Sequence, residues 1–287
     1  MTTHNGINLK SRRELEIMEE AGRINARALL AALKVAHPGA TTADLDAAAE
    51  QVLRESGAKP AFRGYPGAYP FPAVTTISVN DELVHGIPGK RILRDGDIVS
   101  IDCGSIIEGY VADSALTVGV GEISEVAQAL LSATMDALFV GISQMKVGNK
   151  TGDISAAIQE FVESQQFNVV REYTGHGVGR KMHENPQVPN YGIAGRGVEL
   201  RPGMTIALEP MVLAGAKETR VAQDQWTVSS ADGELTAQFE HTIAITDAGP
   251  RILTLLDPEL DAQDAFRYNG YFVGQAEPME KKRSMQS

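Results

Sequence analysis

Cysteine is nearly absent: Cys103 is the only one among 287 residues. A single thiol forms no intrachain disulfide and no cysteine-based zinc site, which excludes a disulfide-stapled scaffold and fits a reducing compartment. Excess positive charge is lacking too. The 26 Lys and Arg against 37 Asp and Glu leave a formal charge of −11, which argues against general binding to nucleic acid or an anionic membrane. No run of about 18 apolar residues occurs. The start, MTTHNGINLKSRREL, has no apolar stretch of the kind a signal peptide needs. The expectation is a cytoplasmic protein with no membrane partner and no nucleic-acid specificity.

What is present is ordinary for a globular chain: 43% hydrophobic and 22% charged residues. The length is about twice the roughly 150 residues of one domain, so two domains or one duplicated domain are open. Leu15, Met18, Gly22, Ala26, Leu29 and Leu33 fall on one helical stripe between Arg13 and Leu33. Thr42 is the expected N-cap of a second helix ending near Ser56. Residues 57–73 are rich in Gly, Pro and aromatics and read as an irregular loop. The runs TTISVN, DIVSID and ALTVGV read as strands. Helical patterns return at 125–145 and in KVGNKTGDISAAIQEFVES (146–164). Further strands are expected near 167–172, 204–209, 219–228, 236–246 and 251–255.

The chain is similar to itself. PGATTADLDAAAEQVL (38–53) aligns with VGNKTGDISAAIQEFV (147–162) at an offset of 109, matching Gly39 with Gly148, Thr42 with Thr151 and Asp44 with Asp153. GDIVSID (96–102) aligns with GMTIALE (203–209) at an offset of 107, each a glycine, an apolar strand and a carboxylate. Asp113 and Glu240 are each followed by apolar residues at +3 and +5. Two related α+β halves, about 10–121 and 122–255, are therefore expected in a single unit spanning 1–255. Residues 256–287 form a polar C-terminal extension.

Packed about a pseudo-two-fold axis, such halves bring Asp102, Asp113, Glu209 and Glu240 together. Asp102 and Glu209 sit in runs that read as buried, where unpaired carboxylates are too costly to keep ionised. Two like charges about 4 Å apart repel by roughly 4 kcal/mol at an effective dielectric near 20. Divalent cations relieve that repulsion, and four acids point to two of them. In TGHGVGRKMHENP, glycines flank His176, which suits a loop facing the acids, and His183 follows seven residues on. His241 follows Glu240 directly, so on a strand it faces away from the acids. Cys103, next to Asp102, faces away for the same reason. Other signatures fail: His183-Glu184 opens no H-E-x-x-H motif, because Gln187 stands in the last position, and no G-x-S-x-G is present.

Taken together, LKSRRELEIMEEAGRI, SVNDELVHGIP, GDIVSIDCG, VADSA, EYTGHGVGRKMHENPQVPNYG, GMTIALEPMV and AQFEHTIAIT resemble the type I methionine aminopeptidases of the creatinase and prolidase-like superfamily. The likeness runs from about Leu9 to Leu255. It implies an α+β pita-bread fold, with a central antiparallel sheet and outer helices. It also implies two divalent metal ions (Co, Mn, Fe(II) or Zn) held by Asp102, Asp113, His176, Glu209 and Glu240. Asp113 and Glu240 would bridge them. Catalytic roles are implied for His85, His183 and Glu209, with Glu209 moving the proton from attacking water to the departing amine. Substrate contacts are implied for His85, His183, Phe62, Tyr65, Phe71, Thr76, Met182 and Trp226. The implied activity is hydrolysis of the N-terminal methionine from peptides and nascent chains when the second residue is small, by a monomer in transient association with the ribosome. The runner-up readings are an Xaa-Pro aminopeptidase or prolidase-like peptidase, and a non-catalytic binding relative of the fold.

Overall fold

The computed structural model describes residues 2–4 and 6–256; the C-terminal extension expected at 256–287 lies, but for its first residue, outside the described residues. A short hairpin, β1 (Thr2–His4) and β2 (Ile7–Leu9), leads into α1 (Arg12–Lys34) and α2 (Thr42–Glu55). Then follow β3 (Lys59–Pro60), β4 (Thr75–Val79), β5 (Glu82–Val84), β6 (Ile98–Ile107) and β7 (Tyr110–Gly119). The remainder is α3 (Glu125–Ser143), α4 (Thr151–Ser164), β8 (Asn168–Val169), β9 (Thr174–Gly177), β10 (Glu184–Pro189), β11 (Thr205–Leu208), β12 (Met211–Leu213), β13 (Thr219–Val221), β14 (Val228–Ser230), β15 (Thr236–Gln238), β16 (His241–Thr246) and β17 (Gly249–Ile252).

The helices start where local chemistry satisfies their free N–H groups. Ser11 caps α1 in a capping box with Glu14. Thr41, not Thr42, caps α2: its hydroxyl accepts from Asp44 N, and its own N–H donates to Asp44 Oδ2 at 2.7 Å. Thr42 is inside the helix, with its hydroxyl donating to Gly89 O. Thr41→Ala is expected to lower stability by about 1 kcal/mol, the usual loss for a removed N-cap, read as a shift of the urea midpoint. Asp153 repeats the role of Asp44 at the start of α4, accepting from Lys150 N at 2.7 Å. Thr42 N bonds Arg91 O and Thr151 N bonds Val198 O, both at 2.9 Å. Gly39 and Gly148 both take positive φ, +96° and +90°. The two segments matched in sequence thus fold alike.

Each half packs a helix pair on a sheet. Ile24, Ala28, Leu45 and Leu53 of α1 and α2 bury against Ile77, Val79, Val99, Ile101 and Cys103 of β4 and β6. Leu130, Leu131, Ile154 and Ile158 of α3 and α4 bury against Ile206, Leu208, Ile243 and Ile245 of β11 and β16. Helix α3 is, among the described residues, the one helix long and apolar enough to cross a bilayer, with a mean hydropathy of 1.5. Its length and composition qualify where the sequence reading found no such run, yet half of it is buried inside the protein and its Leu130 and Leu131 belong to this core.

The halves meet along a seam with matching bonds on either side of one central pair. Ala115 N donates to Glu240 O and Glu240 N to Ala115 O. On one side the Thr242 hydroxyl accepts from Asp113 N and donates to Asp113 O; on the other the Thr117 hydroxyl accepts from Gln238 N and donates to Gln238 O. Two threonines thereby replace backbone ladder bonds where the strands splay. We infer that residues 1–255 form one unit of two related halves built across this seam.

Candidate metal centre

Strand alternation decides which side chains look into the seam. Asp102 on β6 lies opposite Thr76 on β4 and Ala115 on β7, while Asp113 on β7 lies opposite Gly104 on β6. Even-numbered β6 residues share a face, so Asp102 looks inward. Cys103 looks outward into the helix-packed core, as the sequence predicts. The structure corrects the placement of His176. It stands on β9 rather than on a loop, opposite Ala207 of β11 and Gln187 of β10. Its flanking glycines serve close packing rather than a turn: a Cβ on Gly177 would lie 2.2 Å from Asn185 O, and one on Gly175 2.8 Å from Ala207 O. Strand β10 was not anticipated, because Pro186 and Pro189 interrupt its pattern. It forms the outer edge of its sheet, where proline is tolerated.

Asp113, His176 and Glu240 each offer a ligand atom within 4.8 Å of the others, all buried. His176 Nε2 is 3.5 Å from Glu209 Oε1 and 4.0 Å from Asp113 Oδ2. Its Nδ1 is 3.0 Å from Gly177 O, which accepts the ring proton and leaves Nε2 as the lone-pair nitrogen. Burial, opposed by a hydrogen bond with Asp113, pushes the Asp102 carboxyl up to about 7. Burial and the charges of Glu240 and Asp102 push Asp113 well above the carboxylate range. Burial raises Glu209 and Glu240 likewise, with Asp102 and Asp113 acting on the first, Glu209 and Asp102 on the second. Burial, with His183 nearby, holds His176 down to about 4.

The donor set tests whether a divalent cation fits. Asp102 Oδ1, Asp113 Oδ1 and Glu240 Oε1 are buried with no hydrogen-bond partner. Orphaned buried polar groups cost about 1–3 kcal/mol each, more when charged. Carboxylate oxygens and one imidazole converging on a common point are a donor set for divalent first-row metals, and a cation there satisfies all of them at once.

Every site residue expected from the sequence lines a single cavity of about 130 Å³: Phe62, Tyr65, Phe71, Thr76, His85, Asp102, Asp113, His176, Met182, His183, Glu209, Trp226 and Glu240. Phe71 and Trp226 pack edge to face with centroids 5.2 Å apart. His85 takes positive φ (+60°) and packs edge to face on Tyr173, with burial and His183 holding it at about 4. Two functional positions were missed. Gln238 lines the cavity and donates Nε2 to Glu209 Oε2 at 3.2 Å. Its place two residues before Glu240 was the available signal. Gly104 is the other: a Cβ there would lie 2.7 Å from the Ala61 Cβ and 3.1 Å and 3.2 Å from Phe62 and Met182, so a side chain at this position forces the apolar wall to shift. A groove of about 530 Å³, lined by Asn8, Tyr173, Lys181 and Gln187, adjoins the cavity and shares His176 and His183 with it. Behind His183, Glu184 is locked by a buried ion pair to Lys10 at 2.7 Å.

Buried acids and an imidazole converging beside an apolar wall define a metalloenzyme site. The family model for metallopeptidase family M24 matches residues 16–247. Methionine aminopeptidase 1 of Bacillus subtilis is 50% identical over 245 residues, covering 85% of this chain and 98% of that protein. The methionine aminopeptidase of Clostridium acetobutylicum is 48% identical, covering 87% and 99%. The crystal structure of the Thermotoga maritima methionine aminopeptidase superposes with a TM-score of 0.84 at 46% identity, covering 86% and 99%. The Xaa-Pro dipeptidase of Bacillus anthracis, at 22% identity and a TM-score of 0.70, shares the fold; this chain spans 61% of its length. The chain belongs to metallopeptidase family M24 and has the α+β pita-bread fold.

Proposed function

We propose that this protein is a metal-dependent aminopeptidase that removes the N-terminal methionine from peptides and nascent chains, when the second residue is small. The observation that carries the reading is one small cavity in which the carboxylate–imidazole cluster faces Phe62, Phe71, Met182 and Trp226. A soft thioether side chain suits such a wall, because sulfur packs favourably against aromatic edges. The cavity has room for little more than one side chain, and the adjoining groove takes the chain that follows. Relatives named methionine aminopeptidases, at 43–50% identity over most of the chain, support the same substrate.

Asp102, Asp113, His176, Glu209 and Glu240 are the residues that would hold two divalent cations. Bound there, such ions would supply Lewis acidity toward the peptide carbonyl and lower the pKa of water toward neutrality. Glu209, with its carboxyl raised by burial, holds the proton taken from the attacking water and passes it to the departing amine. His183 and His85 face the scissile peptide, and desolvation lowers both imidazoles, so near neutral pH each acts through one ring N–H and one lone pair. The acidic balance and the one buried cysteine favour a cytoplasmic setting.

With Mn or Co added, the purified protein is expected to release Met from Met-Ala-Ser and to leave Xaa-Pro peptides intact, read by chromatography of the released amino acid. Cleavage of the Pro peptides alone would move the assignment to an Xaa-Pro peptidase. Absence of turnover with every metal would make the chain a binding relative.

A further inference from the structure

His176 and His183 touch, with ring centroids 4.2 Å apart and planes inclined by 58°, yet their Nδ1 atoms meet partners of different chemistry. The partner of His176 is the Gly177 carbonyl, which only accepts, so that ring carries its proton on Nδ1. The partner of His183 Nδ1 is the Tyr65 hydroxyl, 2.6 Å away, which can donate or accept. The Tyr65 hydroxyl makes no other hydrogen bond among the described residues. If it accepted from Nδ1–H, the weakly basic phenol oxygen would serve as the acceptor and the His183 Nε2 would present a second lone pair beside that of His176. If it donates, the phenol proton meets the more basic imidazole nitrogen and Nε2–H is left for the cavity. The Tyr65 ring is fixed for this by edge-to-face packing on His183, centroids 5.4 Å apart at 75°.

We propose that Tyr65 is a positioning residue: its hydroxyl donates to His183 Nδ1 and holds that ring in the Nε2–H tautomer, opposite to the tautomer of His176. The two adjacent imidazoles then do different work. His176 turns a lone pair to the carboxylate cluster, and His183 turns a hydrogen-bond donor to the oxygen of the peptide being cleaved. A donor aimed where negative charge develops is the part of a hydrolytic site that speeds the chemical step rather than binding. The consequence for turnover rests on the aminopeptidase reading above; the tautomers do not.

Protein labelled with ¹⁵N-histidine, free of metal, gives the test by long-range ¹H–¹⁵N spectra. In the wild type, His183 is expected protonated on Nε2 and His176 on Nδ1. Tyr65→Phe keeps the packed ring and removes the hydroxyl. His183 is then expected to show a mixture of tautomers, with His176 unchanged. Hydrogen bonds that orient metal-ligating histidines carry about 10–100-fold in activity, and the bond that orients His183 is expected on the same scale. Turnover of Met-Ala-Ser by the metal-loaded variant is therefore expected to fall by about that factor in kcat, with KM little changed. Nδ1 protonation of His183 in the wild type overturns the proposal without recourse to any variant. So does an unshifted tautomer in Tyr65→Phe, even if kcat falls, and so does an unchanged kcat. A wild type with the expected tautomers and no Met release instead overturns the aminopeptidase reading.

Discussion

Glu209→Gln is expected to lower kcat on Met-Ala-Ser by about 10²–10⁴-fold, the usual worth of a positioned general acid–base group. Glutamine keeps the shape and one oxygen of the carboxyl but neither takes up nor releases the proton. Glu209 stands where that proton must pass. It is only slightly exposed, 3.5 Å from His176 Nε2, and steadied by the Gln238 amide on its other oxygen. Burial together with the nearby Asp102 and Asp113 already favours its neutral form in the metal-free protein. The substitution therefore imitates the protonated state, and the metal-free variant is expected to unfold at no lower temperature than the wild type. Titration calorimetry with Mn separates the two proposed roles of the residue. A variant that binds the metal as the wild type does and has lost turnover assigns the loss to proton transfer. A variant that still turns over at the wild-type rate would falsify the assignment of Glu209.

The second large effect is on stability, where metal and protons compete for the same four carboxylates. Asp102 titrates near 7 in the folded metal-free protein, and Asp113, Glu209 and Glu240 are pushed above the carboxylate range. In the unfolded chain each returns to about 4. Above about pH 6.5 the folded state binds more protons than the unfolded one, so stability falls as pH rises. Between about pH 4 and 6.5 the lowered imidazoles of His85, His176, His183 and His241 oppose this, because they take up protons only in the unfolded chain. The metal-free protein is thus expected to melt at a higher temperature at pH 6.5 than at pH 8. Below about pH 4 other acids reverse the trend, because Asp44, Asp232 and Glu14 are lowered by hydrogen bonds made to their ionised forms. A divalent cation removes the penalty by holding the ionised cluster. At a thousand-fold excess over Kd it adds about 4 kcal/mol. The melting temperature measured with and without Mn should therefore diverge as pH rises from 6.5 to 8. Equal metal-free melting temperatures across that range, where the histidines titrate little in either state, would show that the acids do not share one buried site.

The four acids were legible because a duplicated pattern carried them. Asp102 and Glu209 each follow an apolar run at the same distance from a glycine, and the structure places both beside the seam. The cavity-lining aromatics were reached only through resemblance to a family. Nothing in the spacing of Phe62, Phe71 and Trp226 says that they meet, since Trp226 arrives from a segment more than 150 residues away. Gln238 was within reach of strand alternation from Glu240 and was overlooked. The glycines beside His176 suggested a loop, and local sequence does not separate a glycine needed for a turn from one needed because another strand passes within 3 Å. Tyr65 was read as pocket wall because a hydrogen bond to a residue 118 positions later leaves no local trace.

The sequence by itself determined what depends on neighbours along the chain: the helices with their caps, the strands, the duplication and the residues able to bind metal. Tertiary structure alone decided what depends on approach from afar. It turned His176 and His183 toward each other with different Nδ1 partners. It replaced ladder bonds with Thr117 and Thr242 where the halves meet. It also set Gly104 beneath Phe62 and Met182, where any Cβ would close the space. Backbone propensity and hydrophobic period act over a few residues, whereas a pKa, a tautomer or a cavity wall is set by whatever atoms lie within a few ångströms, wherever they stand in the chain.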